Sequence, residues 1–299
     1  MPNAPQAASL APSLWPARSQ AWVRTPDGVD ISVREWGDPD GWPIVFVHGL
    51  AQAHLSFLPQ LASEVLAHRR LVAYDLRGHG ESAKPADPAF YHDGRRWADE
   101  LNAVLESLAL QRSVLVGWSL GGRVVRQYLM HYGDARIGGL NFVSTRPFED
   151  PAVLATASRN DIAGRPDTLA ARIDAHIAFL RACFLRQPAE SDLAVAVAYN
   201  AIVPQPVREA ISGWSTGLEE TRAALRRVCV PALITHGRDD ALILPSAAEM
   251  TAAAIAGARI SWYEDCGHSP FYEHAARFNR ELDAFVSAIE ARHDGQRRA

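Results

Sequence analysis

The sequence predicts an α/β fold: a doubly wound, mostly parallel sheet with a helical insertion late in the chain. Three observations lead there. Continuous apolar runs over 43–47, 71–74 and 113–116 alternate with stretches of helical period, as expected of parallel strands buried on both faces. A serine between glycines, Gly117-Trp118-Ser119-Leu120-Gly121-Gly122, stands where one of these runs gives way to a helix. From about 147 to 227 no convincing strand occurs, and Ala/Arg/Leu-rich helical segments take over.

The elements follow in order. Runs over 21–25 and 29–36 are β-rich and joined by Pro26-Asp27-Gly28, a hairpin signal. The strand over 43–47 ends at His48-Gly49, helical spacing covers 55–66, and a second buried strand spans 71–74. The loop Asp75-Leu76-Arg77-Gly78-His79-Gly80-Glu81-Ser82 fits neither a Walker pattern nor G-x-G-x-x-G and reads as turn chemistry. Trp97, Leu101, Val104, Leu105 and Leu108 share one face of a helix over 95–108. After the serine turn come a helix over 123–130 and a strand over 140–144. The insertion includes a helix over 169–185 and is broken by Pro188, Pro204 and Pro206. The sheet resumes over 230–235 and 259–263, with a helix over 246–256 between them and a closing helix over 272–289. The expected organisation is therefore a core over 21–146 and 228–299 and a helical cap over 147–227.

With 299 residues, 48% of them hydrophobic, the chain can bury a large core. A net charge of -4 leaves no basic footprint for nucleic acid. No apolar run approaches the roughly 20 residues of a membrane-spanning helix. Residues 1–20 are Ala/Pro/Ser-rich without a basic start or an apolar core, and read as a disordered leader rather than a signal peptide. Cys183, Cys229 and Cys266 are odd in number and widely spaced, which points to a reducing, cytoplasmic compartment without a disulfide framework.

Ser119, held in a sharp turn at a helix start, is the candidate nucleophile. It needs a base and an orienting carboxylate. In a doubly wound sheet these lie in loops after the carboxyl ends of strands. Two such loops carry them: His236-Gly237-Arg238-Asp239-Asp240 and Glu264-Asp265-Cys266-Gly267-His268-Ser269-Pro270. His268 is the candidate base and Asp240 the candidate acid, with Asp239 as its competitor and Glu149 or Asp150 as outside candidates. The order Ser, Asp, His is that of α/β-hydrolases. Cys266 reads as a small loop residue. The backbone amides of Leu120 and Leu50 are the candidate oxyanion hole, and His48 reads as a brace for the Leu50 loop.

Residues 21–289 resemble the α/β-hydrolase fold superfamily, in its esterase, lactonase and non-haem haloperoxidase-like branch. The motifs are His48-Gly49-Leu50, Asp75-Leu76-Arg77-Gly78-His79-Gly80, the Ser119 elbow, Gly237-Arg238-Asp239-Asp240 and Gly267-His268-Ser269-Pro270-Phe271. The family's G-x-x-D pattern selects Asp240 over Asp239. The family's proline after that acid comes late here, at Pro245. Perhydrolase-type members carry proline in the oxyanion loop, where this chain has Leu50-Ala51, which argues against peroxide chemistry. Dehalogenases of this architecture use an aspartate at the elbow, which Ser119 excludes.

The resemblance implies a serine hydrolase of carboxylic esters or lactones, working through an acyl-enzyme without metal or cofactor. Its expected partner is a small apolar ester or lactone, with Trp118, Ile177, Phe179, Phe184 and Trp214 as candidate pocket residues. No nucleic-acid or membrane partner is expected, and the oligomeric state is left open. C–C bond or amide hydrolysis by the same triad, and a receptor-like binding protein with negligible turnover, are the rival readings.

Overall fold

The computed structural model describes residues 17–148, 150–155 and 168–298. Most of the expected leader, residues 1–16, lies outside them, as does Glu149. The hairpin signal becomes strands β1 (Ser19–Arg24) and β2 (Asp30–Gly37), turned at Gly28, whose φ of 82° favours glycine. β1 begins inside the stretch whose composition suggested disorder, because backbone pairing to β2 reaches back to Ser19.

The remaining strands are β3 (Pro43–Val47), β4 (Arg70–Tyr74), β5 (Ser113–Trp118), β6 (Ile137–Val143), β7 (Ala232–Gly237) and β8 (Arg259–Tyr263). They form one sheet in the order β1-β2-β4-β3-β5-β6-β7-β8. The first two strands pair antiparallel and β3 to β8 run parallel. Alternate residues of the central strands feed two cores: Val45, Val47, Val72 and Tyr74 on one face, Ile44, Phe46, Leu71 and Ala73 on the other. With both faces covered, polar alternation has no place, which is why these strands read as unbroken apolar runs. The helices Gly94–Ser107 and Leu120–Tyr132 cover the first face, and the closing helix Ala275–Arg298 covers the second.

Two elements differ from expectation. Instead of one helix over 55–66 there are a 3-10 turn His54–Phe57, an α-turn Leu58–Leu61 and a second 3-10 turn Glu64–Leu66. Pro59 lacks the N–H that a continuous helix would need there. The closing helix is preceded by a separate turn, Pro270–Glu273. Between β6 and β7 the described residues hold a 3-10 turn, Pro151–Val153, four α-helices and no strand, the helices being Leu169–Ala182, Glu190–Ala201, Gln205–Gly213 and Leu218–Arg226. Among the described residues no helix is long and apolar enough to cross a membrane.

The strand order places the site. β3 leads to β4 on one side, whereas β5 leads to β6 on the other. Connections diverging from neighbouring strands leave a crevice at their carboxyl ends. The loops that border it start at His48 and Ser119.

Candidate active site

β5 ends at Trp118 and the next helix begins at Leu120, so Ser119 alone turns the chain. Its φ of 52° and ψ of -113° lie outside the ordinary basins. Such a conformation costs of order 1–3 kcal/mol and persists where its surroundings over-determine it. Here the Ser119 N–H donates to the Val143 carbonyl on β6 at 3.0 Å, and its own carbonyl accepts from the Thr145 hydroxyl at 2.8 Å. The flanking glycines answer a steric need. A Cβ on Gly121 would lie 2.0 Å from the Val47 carbonyl oxygen, and one on Gly117 would lie 2.8 Å from Gly122 Cα. Leu120 opens the helix, where an amide N–H has no intrahelical acceptor.

Across the crevice, the loop after β3 is braced by His48. Its Nε2 accepts from the Leu76 N–H at 3.0 Å, so Nδ1 carries the proton and donates to the Gly49 carbonyl at 2.8 Å. Burial pushes its pKa down to about 4, so the ring is neutral. The next turn carries Ala51 at φ 54°, a backbone conformation closed to proline. The Ala51 carbonyl accepts from Nδ2 of the fully buried Asn200 at 3.0 Å, and Asn200 Oδ1 accepts from Arg208 at 2.8 Å. Among the described residues, the Leu50 N–H makes no backbone hydrogen bond.

The loops after β7 and β8 bring Asp240 and His268 together, with His268 Nδ1 at 2.8 Å from Asp240 Oδ2. Asp240 Oδ1 accepts from the Leu242 and Ile243 amides, both at 2.9 Å, and His236 Nε2 approaches Oδ2 at 3.3 Å. Burial pushes the Asp240 carboxyl up, but the His268 charge and the hydrogen bonds from His236 and His268 outweigh it and hold it well below the usual carboxylate range. A buried carboxylate on Nδ1 fixes the orientation of the His268 ring. Asp239 is exposed, and its N–H donates to the Cys266 carbonyl at 3.0 Å. Asp150 accepts from the Ala152 N–H at 2.8 Å and takes no part in this pair. Cys266 is buried, and burial raises its thiol far above the thiolate range.

Trp118 ties the two halves of the site together, its indole N–H donating to the His268 carbonyl at 2.9 Å. Among the described residues no hydrogen bond joins Ser119 Oγ to His268. Contacts of this kind are often long in the free enzyme and tighten on substrate.

A serine elbow, a buried Asp–His pair and two loop amides on one sheet edge invite comparison with known proteins, and residues 43–275 match the family model described as alpha/beta hydrolase fold. The chain belongs to the alpha/beta hydrolase fold family. A non-heme chloroperoxidase from Streptomyces lividans is 29% identical, over 89% of this chain and 99% of that protein. The bifunctional esterase/perhydrolase DCH of Acinetobacter calcoaceticus is 27% identical with the same coverage. Among solved structures, a candidate aryl esterase from Burkholderia cenocepacia is 38% identical with a TM-score of 0.86, covering 91% of this chain and 100% of that one. These relatives support a hydrolase.

In this alpha/beta hydrolase, a cavity beside the elbow is walled by Leu55, Leu58, Trp118, Phe184 and Phe271, with Gln52, Ser56, Asp192, Tyr199 and Tyr272 among its polar members. Of the four aromatic residues expected there, Trp118 and Phe184 are on the wall and Phe179 and Trp214 are not. Phe179 packs on the cluster of Leu180, Leu193 and Ala196. Trp214 turns towards the helices Gly94–Ser107 and Leu120–Tyr132, stacking on Trp97 at 5.2 Å with Arg123 over its ring at 4.1 Å. Ile177 is likewise absent from the wall. Missed in the sequence were Asp192, Val195, Ala196 and Tyr199, all on the wall. Their i, i+3, i+4, i+7 spacing on the helix Glu190–Ala201 is the signal that marks one helix face.

Proposed function

We propose that the chain is a serine hydrolase that cleaves small carboxylic esters or lactones. Ser119 attacks the carbonyl, and His268 takes its proton and returns it to the leaving group. Asp240 holds the imidazole tautomer and stabilises the imidazolium that forms. The amides of Leu50 and Leu120 receive the developing oxyanion, and water activated by His268 releases the acid from the acyl-enzyme. The helical segment over 147–227 is the cap, and its helix Glu190–Ala201 walls the apolar cavity in which part of the substrate sits. The observation that carries this reading is the buried Asp240–His268 hydrogen bond, at 2.8 Å. It lies one indole contact from a serine held in a strained turn at φ 52°. The esterase relatives agree with it.

The test is intact mass after exposure to a fluorophosphonate, alongside hydrolysis of p-nitrophenyl esters of graded length. One adduct, absent from Ser119→Ala, and a kcat in that variant lower by roughly 10⁴-fold or more are expected. Labelling that persists in Ser119→Ala, or retained turnover, overturns the assignment.

A further inference from the structure

One line of hydrogen bonds crosses the mostly apolar cavity wall. Ser56 Oγ lies 3.2 Å from Gln52 Oε1 and 3.3 Å from the Tyr199 hydroxyl oxygen. A serine hydroxyl has one proton, and an amide oxygen can only accept. Ser56 therefore donates to Gln52, and the second bond takes its proton from Tyr199. Burial keeps that phenol protonated, raising its pKa above the ordinary value of 10.0. The line runs from Tyr199 through Ser56 to Gln52 and ends at the carboxamide nitrogen of Gln52.

That nitrogen is buried and has no hydrogen-bond partner, in a residue only 3% exposed. Other buried polar atoms in the molecule lack partners too, but among the described residues no other one belongs to this cavity's wall. Buried donors are normally satisfied, and an exception calls for an explanation. A ligand oxygen supplies one. The same wall carries the Asp192 carboxylate, which accepts from the Tyr272 hydroxyl at 2.6 Å, so a negatively charged ligand group would meet a like charge there.

Building on the hydrolase reading, we propose that Gln52 Nε2 is a recognition donor for a neutral acceptor oxygen, a ketone or an ether, carried on the otherwise apolar substrate group that fills this cavity. The preferred substrates are then esters or lactones with an oxygen-bearing chain, in preference to plain hydrocarbon chains or chains ending in a carboxylate.

Two matched ester series test this. One varies the acyl group (alkyl, β-keto, ether) with a fixed alcohol, and the other varies the alcohol with acetate as the acyl group. The reading is the kcat/KM ratio of the oxygen-bearing chain to the hydrocarbon chain of equal length, in the wild type, Gln52→Met and Gln52→Leu. The expected ratio in the wild type is about three- to tenfold in one series, falling to near one in both variants. Each ratio is taken within one enzyme, so a general loss of activity cancels. A wild-type ratio near one in both series, or an unchanged ratio in the variants, overturns the proposal. Absence of turnover on every ester would count against the hydrolase reading instead. Affinities of the same esters for Ser119→Ala, read from tryptophan fluorescence, then decide the donor's role without turnover, by the same ratio.

Discussion

Asp240 is buried yet ionised because Leu242, Ile243, His236 and His268 all direct polar hydrogens at it. Its folded pKa lies below its ordinary value of 3.8. For a depressed carboxylate, the stabilisation is fully present above the unfolded value and is lost as pH falls through and below it. Asp240→Asn should therefore flatten the acid limb of stability, measured by urea unfolding between about pH 5 and pH 2. An equally steep acid loss in the variant would assign that limb to other carboxylates, such as Asp75, which is also depressed. The same variant should lower kcat by about 10⁴, the size of the effect in a serine protease whose histidine is left in the wrong tautomer. His236, beside the pair, has no role assigned to it by the sequence. Its Nε2 is held by the Ile243 carbonyl at 3.0 Å, a contact that exists only once the loop after β7 has closed.

Among the elements, the helix Glu190–Ala201 does two jobs: one face walls the cavity, and its last turn fixes the loop after β3. Asn200 is fully buried, with Nδ2 on the Ala51 carbonyl and Oδ1 on Arg208, so its amide has one orientation. Arg208 also donates to the Val203 carbonyl at 3.3 Å, a cation placed at the carbonyl end of that helix. Asn200→Ala frees the Ala51 carbonyl and with it the geometry of the Leu50 amide. We expect kcat to fall about ten- to a hundredfold with KM little changed, since misplacement by about 1 Å costs on that scale. A rise in KM alone would make Asn200 a binding residue rather than a positioning one. The strands were legible because β3 to β5 bury both faces. The elbow was legible because strand, serine and helix are adjacent in the chain. Asn200 was not, because its partner Ala51 is 149 residues away and no local pattern marks the pairing.

Across the whole molecule, the aromatic residues of the 147–227 segment divide between two destinations. Trp214 joins the core against Trp97 and is 2% exposed, whereas Phe184 meets Tyr272 at the cavity wall at 5.2 Å. Their truncations should separate accordingly. Trp214→Ala should cost about 3–5 kcal/mol of stability, by thermal or urea unfolding, and leave ester chain-length preference unchanged. Phe184→Ala should cost less and shift that preference towards longer chains. The opposite pattern would return Trp214 to the substrate site. The segment is also tied to the His268 loop: the Glu273 carboxylate accepts from the Gly267 N–H at 2.9 Å and from the Leu185 and Arg186 N–H groups at 3.0 and 2.8 Å.

The sequence by itself determined the sheet, its mostly parallel direction, and Ser119, Asp240 and His268 as the residues to test. Apolar runs, turn residues and chain order are local or ordinal properties, and they survive without coordinates. Only the tertiary structure decided which aromatic residues turn towards the cavity. It alone also showed that Gln52 ends a hydrogen-bond line with an unused donor. Each of those outcomes depends on how segments distant in the chain pack against one another, and residue type and spacing carry no record of that.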